Sequence, residues 1–320
     1  MSRRGPHHLR PILLSCMVAL ATAAPARAQL NCGDTVPAGA KLTLTADVGL
    51  CTTATGGVTV EGGAKLDMGG HFVVCDPNDP PIGVLLEGKG AKVSRGGARG
   101  CNHAIQLDGA GGHKVEDFVA TESAGDGVEI ESDKNKLRFI AATDNGNSGV
   151  DVNGTGNKVD DVQAVDNDSD GVAVDADGNK LARIAASGNG DDGIDLNGSG
   201  NKVKDCRSMS NFEDGLQAEG PGNTIQKCFL SRNGHGDPDD AGIDVQSDGN
   251  EIKDNLVLGN AARGILVRAG ASVVVKKNVV LGHGVFDLED ENAGCAGTTW
   301  SKNRFGSSSA AGVPSPACIQ

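Results

Sequence analysis

Three observations predict an all-β solenoid, a parallel β-helix of about 22 residues per coil with capped ends. First, Gly127, Gly149, Gly171, Gly193 and Gly215 are each 22 residues apart, and Gly242 and Gly264 resume that spacing after a five-residue insertion. Second, each glycine opens the pattern apolar–polar–apolar, as in Gly127-Val128-Glu129-Ile130 and Gly193-Ile194-Asp195-Leu196. Third, two asparagine columns keep the same period. One contains Asn135 and Asn201; the other runs Asn145, Asn167, Asn189, Asn211, Asn233 and Asn260. A fixed period of this length denotes stacked repeats.

Each coil divides into short strands. Val128 and Ile130 face one way and Glu129 and Glu131 the other, which is strand alternation. Leu137, Ile140 and Ala142 then continue apolar with short polar gaps, as do Val159, Val162 and Ala164 in the next coil. Three strands per turn, stacked about 4.8 Å apart, pair every backbone ladder with the coil above and below. Strands are expected at 128–131, 150–153, 172–175, 194–197, 216–219, 243–246 and 265–268. The asparagines suit the turns, because Asn tolerates left-handed backbone and stacked amides can bond one another. Residues 57–286 are read as coils, and 29–56 and 287–320 as caps over the unpaired edges.

The N-terminus reads as an export leader. Arg3, Arg4 and Arg10 precede an apolar run, and Ala26-Arg27-Ala28 forms an A-x-A cleavage site before Gln29. This makes residues 1–28 a signal peptide and the mature protein secreted or periplasmic. No later segment approaches the roughly 18 apolar residues of a membrane span. The mature chain keeps eight cysteines: Cys32, Cys51, Cys75, Cys101, Cys206, Cys228, Cys295 and Cys318. An even number suits an oxidising compartment. Cys206 and Cys228 share one column in adjacent coils, inside disulfide range. Cys32/Cys51 and Cys295/Cys318 lie in the caps and suit staples there.

Charge excludes some partners. The chain has 29 basic and 42 acidic residues, a net −13. Losing four leader arginines leaves 25 against 42, or −17. Nucleic acid and anionic membranes are disfavoured, since both are held by basic contacts. A polyanionic sugar needs a bridging cation. The acids concentrate beside the repeat glycine. Asp126, Asp170, Asp192 and Asp214 precede it; Glu129, Asp151, Asp195 and Asp244 follow it by two places. They are expected to point outward as one acidic, amide-rich face. That face is either a solvated surface or a ligand groove with oxygen donors suited to Ca²⁺. Asp166-Asn167-Asp168-Ser169-Asp170-Gly171 also resembles a calcium loop, with Asp177 at its twelfth position, though its flanks are strands.

The coils resemble the right-handed parallel β-helix, or pectate-lyase-like, superfamily, which includes NosD-like proteins. The likeness covers roughly residues 55–290, with Leu66-Asp67-Met68-Gly69-Gly70-His71-Phe72-Val73-Val74 similar to the first full coil of many secreted members. The resemblance implies carbohydrate binding or processing, as a polysaccharide lyase, glycoside hydrolase or uronan epimerase. Matches to family motifs are partial. Gly190-Asp191-Asp192, Gly234-His235-Gly236 and Asp237-Pro238-Asp239-Asp240 are present, but N-T-D, R-I-K and D-P-H are not. The insertion 234–241 interrupts the period, and solenoids place insertions on binding faces. Asp191, Asp192, His235 and Asp237 are therefore the candidate catalytic residues. Asp214, Asp240 and Asp244 are candidate calcium ligands. Tyr is lacking, and only Phe212 stands near the groove as an aromatic. The expected partner is a polysaccharide or surface glycan bound by a monomer. The alternative is a non-catalytic structural or surface-interaction protein.

Overall fold

The computed structural model describes residues 26–320 and is built almost wholly of strands. The first 25 positions, most of the expected signal peptide, lie outside the described residues. Ala26–Ala28, the expected cleavage motif, forms a short strand parallel to Lys41–Leu44. No helix among the described residues is long and apolar enough to cross a membrane.

The expected first strands are present and stack in parallel register. Val128–Ile130, Val150–Val152, Val172–Val174, Ile194–Leu196 and Leu216–Ala218 pair residue for residue. Ala241–Val245 and Arg263–Val267 continue the sheet as longer strands. Each regular strand ends one residue earlier than expected, so Glu131 and its equivalents begin the turn. Stacking also passes beyond 57–286 at both ends. Thr35–Val36 pairs with Val58–Val60, and Ser308–Ala310 with Phe286–Asp290. The outermost coils keep the ladder but replace the Gly/Asn signature, which is why the period fades there.

The rest of each coil is bent at a left-handed residue. Lys114–Thr121, Lys136–Thr143, Lys158–Val165 and Lys180–Ser187 run eight residues each, turning at Asp117, Phe139, Asp161 and Arg183, whose φ lies between 53° and 58°. From Lys202 onward the same path is cut into two three-residue strands, as at Lys202–Lys204 and Arg207–Met209. The interior is filled by aliphatic columns such as Val128, Val150, Val172 and Ile194, all fully buried. Burial of such side chains contributes about 1.5–3 kcal/mol each.

Side-chain ladders lock the turns. Asn145 Nδ2 donates to Asn167 Oδ1 (2.8 Å), Asn167 to Asn189 (2.9 Å) and Asn189 to Asn211 (2.8 Å). The repeat glycine is required by this ladder. A Cβ on Gly127, Gly149 or Gly171 would lie 2.7 Å from an Asn amide nitrogen of the next coil. In the other asparagine column the bonding differs from the expected amide chain. There Asn157 Oδ1 accepts the Asn135 backbone N–H (2.7 Å), while Nδ2 donates to the carbonyl three residues back, as Asn135 does to Ser132 (2.7 Å). A third ladder escaped the sequence reading: Asn255 Nδ2 donates to Asn278 Oδ1 (3.0 Å), and Asn278 to Asn303 (3.1 Å).

All eight cysteines among the described residues are paired. Cys206–Cys228 joins adjacent coils, Cys32–Cys51 and Cys295–Cys318 staple the ends, and Cys75–Cys101 forms the fourth bond.

Candidate functional site

The acidic residues near the repeat glycine divide into two kinds. The column before the glycine is buried, contrary to the outward direction expected from the sequence. Asp126, Asp192 and Asp214 are each under 5% exposed. They point to the backbone of the next coil. Asp126 Oδ1 accepts from Ser148 N–H (3.0 Å), Asp170 from Asp192 (3.0 Å), Asp192 from Asp214 (2.7 Å), and Asp214 from Ala241. A ladder of this kind satisfies backbone donors but stacks carboxyls at coil spacing without water. Burial and the neighbouring aspartates push Asp170 up to about 7 and Asp192 up to about 10, and hold Asp214 well above the usual carboxylate range.

In the column two places after the glycine, Glu129, Asp151 and Asp195 are partly exposed on the outer face of the first-strand sheet, while Asp244 is buried against Arg268. Burial raises Glu129 to about 7, reinforced by Glu131, Asp126 and Asp151. Burial likewise raises Asp151 and Asp195 to about 6. The following turn supplies amides. Asn153 Nδ2 donates to both Glu131 (2.9 Å) and Asp151 (2.9 Å); Asn197 does the same to Asp175 (2.9 Å) and Asp195 (2.7 Å). Asp151 Oδ1 and Asp195 Oδ1 are buried without a hydrogen-bond partner. Near neutral pH these groups titrate, so the row offers hydroxyl donors as well as carboxylate acceptors.

The insertion lies on the C-terminal side of this row, pinned by arginines of the next coil. Arg263 pairs with Asp239 (3.1 Å) and Glu289, and Arg268 with Asp244 (2.8 Å). His235 is exposed and its Nε2 faces the Arg232 carbonyl oxygen at 3.0 Å. Asp237 N–H donates to Asp240 (2.7 Å). Phe212, 53% exposed, accepts from the His235 and Gly236 N–H groups through its carbonyl, which anchors the loop's first turn.

Among the expected catalytic residues, Asp191 and Asp192 adjoin. One carboxylate oxygen from each of Asp170, Asp191 and Asp192 lies within 4.8 Å of the others. A hydrogen bond to Asp191, with burial, raises Glu213 in the next coil to about 7. His235 and Asp237 belong to the insertion's own turn. Asp214, Asp240 and Asp244 do not form such a group; each is engaged by Ala241 N–H, Asp237 N–H or Arg268. The calcium-like loop is dispersed too. Asn167 belongs to the asparagine ladder, Asp170 to the aspartate ladder, and Asp177 accepts from Ser199 N–H (2.7 Å).

One cluster was missed by the sequence reading. His103 heads the aspartate column, its Nδ1 accepting from Asp126 N–H (3.2 Å) and its Nε2 standing 3.6 Å from Glu129 Oε2. Its signal was faint, because His103 lies one coil before the regular repeats begin.

The coil geometry recurs in solved structures. The A-module of the mannuronan C-5 epimerase AlgE6 from Azotobacter vinelandii aligns at 16% identity with a TM-score of 0.65, over 84% of this chain and 86% of that one. The Dettilon tailspike protein aligns at 14% and 0.65, over 79% of this chain and 59% of that one. The periplasmic alginate epimerase AlgG aligns at 14% and 0.58, over 88% and 79%. At these identities the likeness is one of fold. No curated protein matches by sequence. The family model for the right handed beta helix region matches residues 103–237 and 148–310, the stretch of the glycine and asparagine columns; the chain belongs to that family.

Proposed function

We propose that this protein is exported and binds an extracellular polysaccharide in the groove of the first-strand sheet. The observation that carries the reading is the outward row Glu129, Asp151 and Asp195, with carboxyls raised to about 6–7 beside Asn153 and Asn197. Such a row repeats donors and acceptors at a coil rise of about 4.8 Å, close to the length of one sugar in an extended chain. The three aligned proteins named above are two polysaccharide epimerases and a tailspike, which supports a glycan partner in general. The groove suits neutral hydroxyls; an acidic glycan would need a bridging cation such as Ca²⁺, for which Asp170, Asp191 and Asp192 are the best-grouped donors. Four disulfides support an oxidising compartment. A monomer suffices, because the groove is complete within one chain.

Binding rather than turnover is the primary role. Asp192 is bound into the backbone ladder, and His235 faces a carbonyl of its own loop. A glycan array with the mature protein tests the reading, alongside reducing-sugar and unsaturated-uronate assays. Retention of a glycan that the double variant Asp151→Asn/Asp195→Asn loses is the expected result. Retention of no glycan by a folded protein would end the proposal. Turnover lost in His235→Ala or Asp237→Asn would establish the insertion as an active site.

A further inference from the structure

A second surface, on the other sheet, carries charge of the opposite sign. The first residue of the second strand is lysine in eight consecutive coils: Lys41, Lys65, Lys92, Lys114, Lys136, Lys158, Lys180 and Lys202. They are not merely periodic in sequence. Each is the direct register partner of the next. Seven are exposed, and Lys92 is partly covered. The row is straight, one residue wide, and about 34 Å long at strand spacing. It ends at Lys202, because the column continues as Thr224 and Glu251.

None of the eight makes an ion pair. Among the described residues the ion-paired lysines are Lys204, Lys253 and Lys276, all outside the row. Of the acids on the neighbouring positions, Asp67 pairs with Arg95, and Asp160 and Asp161 with Arg183, which leaves Glu116 as the one unpaired acid beside the row. Like charges directly opposite across a ladder are destabilising. The effect is visible at Lys92, which Lys114 and Lys65 shift downward. A groove lined by Lys41, Lys65, Lys92 and Lys114, with Leu42, Leu66 and Val93 on its floor and the two acids Asp67 and Glu116 on its far side, runs beside the first half of the row.

We propose that this lysine row is a binding surface for a linear acidic polysaccharide, aligned with the solenoid axis and presenting one carboxylate per coil. The spacing selects that partner. One cation per 4.8 Å along a straight line matches a polymer with one charge per sugar. Nucleic acid carries charge more densely, and duplex backbones wind away from a flat row. The chain as a whole is net acidic, so the row stands out against it. This inference uses no residue of the first-strand groove and does not depend on the glycan bound there.

Polygalacturonate oligomers of defined length are the probe, with a neutral dextran and single-stranded DNA as comparators. Affinity should rise with each added uronate up to about eight, one per lysine, and fall linearly with the logarithm of salt concentration. The quadruple variant Lys92→Gln/Lys114→Gln/Lys136→Gln/Lys158→Gln should bind at least tenfold more weakly with a flatter salt dependence. Asp151→Asn/Asp195→Asn should bind polygalacturonate unchanged. If the quadruple variant fails to fold, the pair Lys114→Gln/Lys136→Gln replaces it, with a smaller loss in the same direction. Absence of polygalacturonate binding at low salt, or undiminished binding by a folded lysine variant, overturns the proposal. Tighter binding of DNA than of the oligomers overturns the assigned partner. Loss of binding in the aspartate variant alone moves the acidic glycan to the groove.

Discussion

Replacing Asp192 by asparagine should stabilise the protein at neutral and alkaline pH. Asp192 is 4% exposed, and its Oδ1 accepts the Asp214 N–H at 2.7 Å. An amide oxygen can keep that bond. Its nitrogen would donate to the flanking carboxyls of Asp170 or Asp214, much as Asn147 Nδ2 donates to Asp126 (2.7 Å). What the substitution removes is the penalty on an acid that must either ionise in a dry column or remain protonated against solvent. Burial holds Asp192 at about 10 against an ordinary 3.8. A carboxyl raised in the folded state contributes stability fully below its unfolded value and loses it as pH rises toward the folded one. At pH 7 the solution stands about three units above the unfolded value, a loss of up to ~4 kcal/mol at ~1.4 kcal/mol per unit. Sharing of protons with Asp170 and Asp214 leaves about half of that, ~2 kcal/mol, recoverable by one substitution. Chemical denaturation of Asp192→Asn and wild type from pH 4 to pH 9 measures it. The gain should be about 2 kcal/mol at pH 7, larger at pH 8, and vanish near pH 4. A destabilisation of the same size at every pH would show that the carboxylate itself is needed and refute the ladder argument.

Four further outcomes are expected. The wild type should melt lower at pH 8 than at pH 5, because Glu129, Asp151, Asp170 and Asp195 are all raised by burial into that window; a melting temperature that rises across it contradicts the assignment. Asn167→Ala should cost about 2–4 kcal/mol in denaturant melts, since it removes the oxygen that accepts both the buried Asn145 N–H and Asn145 Nδ2; a cost under 0.5 kcal/mol would mean the ladder is incidental. Removing Cys206–Cys228 as a double alanine should cost about 2–4 kcal/mol, from a closed loop of 22 residues, read against the intact protein under oxidising conditions. Calcium should bind saturably and raise the melting temperature more than sodium at matched ionic strength. Asp191→Asn should blunt that effect and Asp205→Asn should not; a titration without saturation leaves only diffuse screening.

The fold was legible because its constraints repeat. Gly127 and Asn145 recur together since one makes room for the other's ladder, and a period of 22 survives any local noise. The end coils were less legible, because Thr35–Val36 and Ser308–Ala310 keep the pairing without the Gly/Asn signature. The site was only partly legible. Alternation placed Asp151 and Asp195 on the groove correctly. It could not tell that Asp192, just before the strand, turns inward to a backbone N–H of the next coil, since that direction is set by the turn and not by strand period. The lysine row was present in every Asn-Lys step yet was averaged away in a net charge of −13. Register, rather than composition, brings those charges into one line.

The two ladders run in opposite senses. The asparagine oxygens accept from the coil behind, as Asn157 does from Asn135, and the aspartate oxygens from the coil ahead, as Asp192 does from Asp214. Between Gly127 and Gly215 every such bond joins positions related by the same 22-residue step. A whole coil copied into or cut from the part of this interval before Gly193 would therefore meet neighbours whose asparagine ladders it already fits, whereas cutting the last coil would remove Cys206 and leave Cys228 unpaired. Gene-level duplication of a single repeat is thus a structurally silent event here. The length of the molecule is free to change in whole steps without any new packing problem to solve.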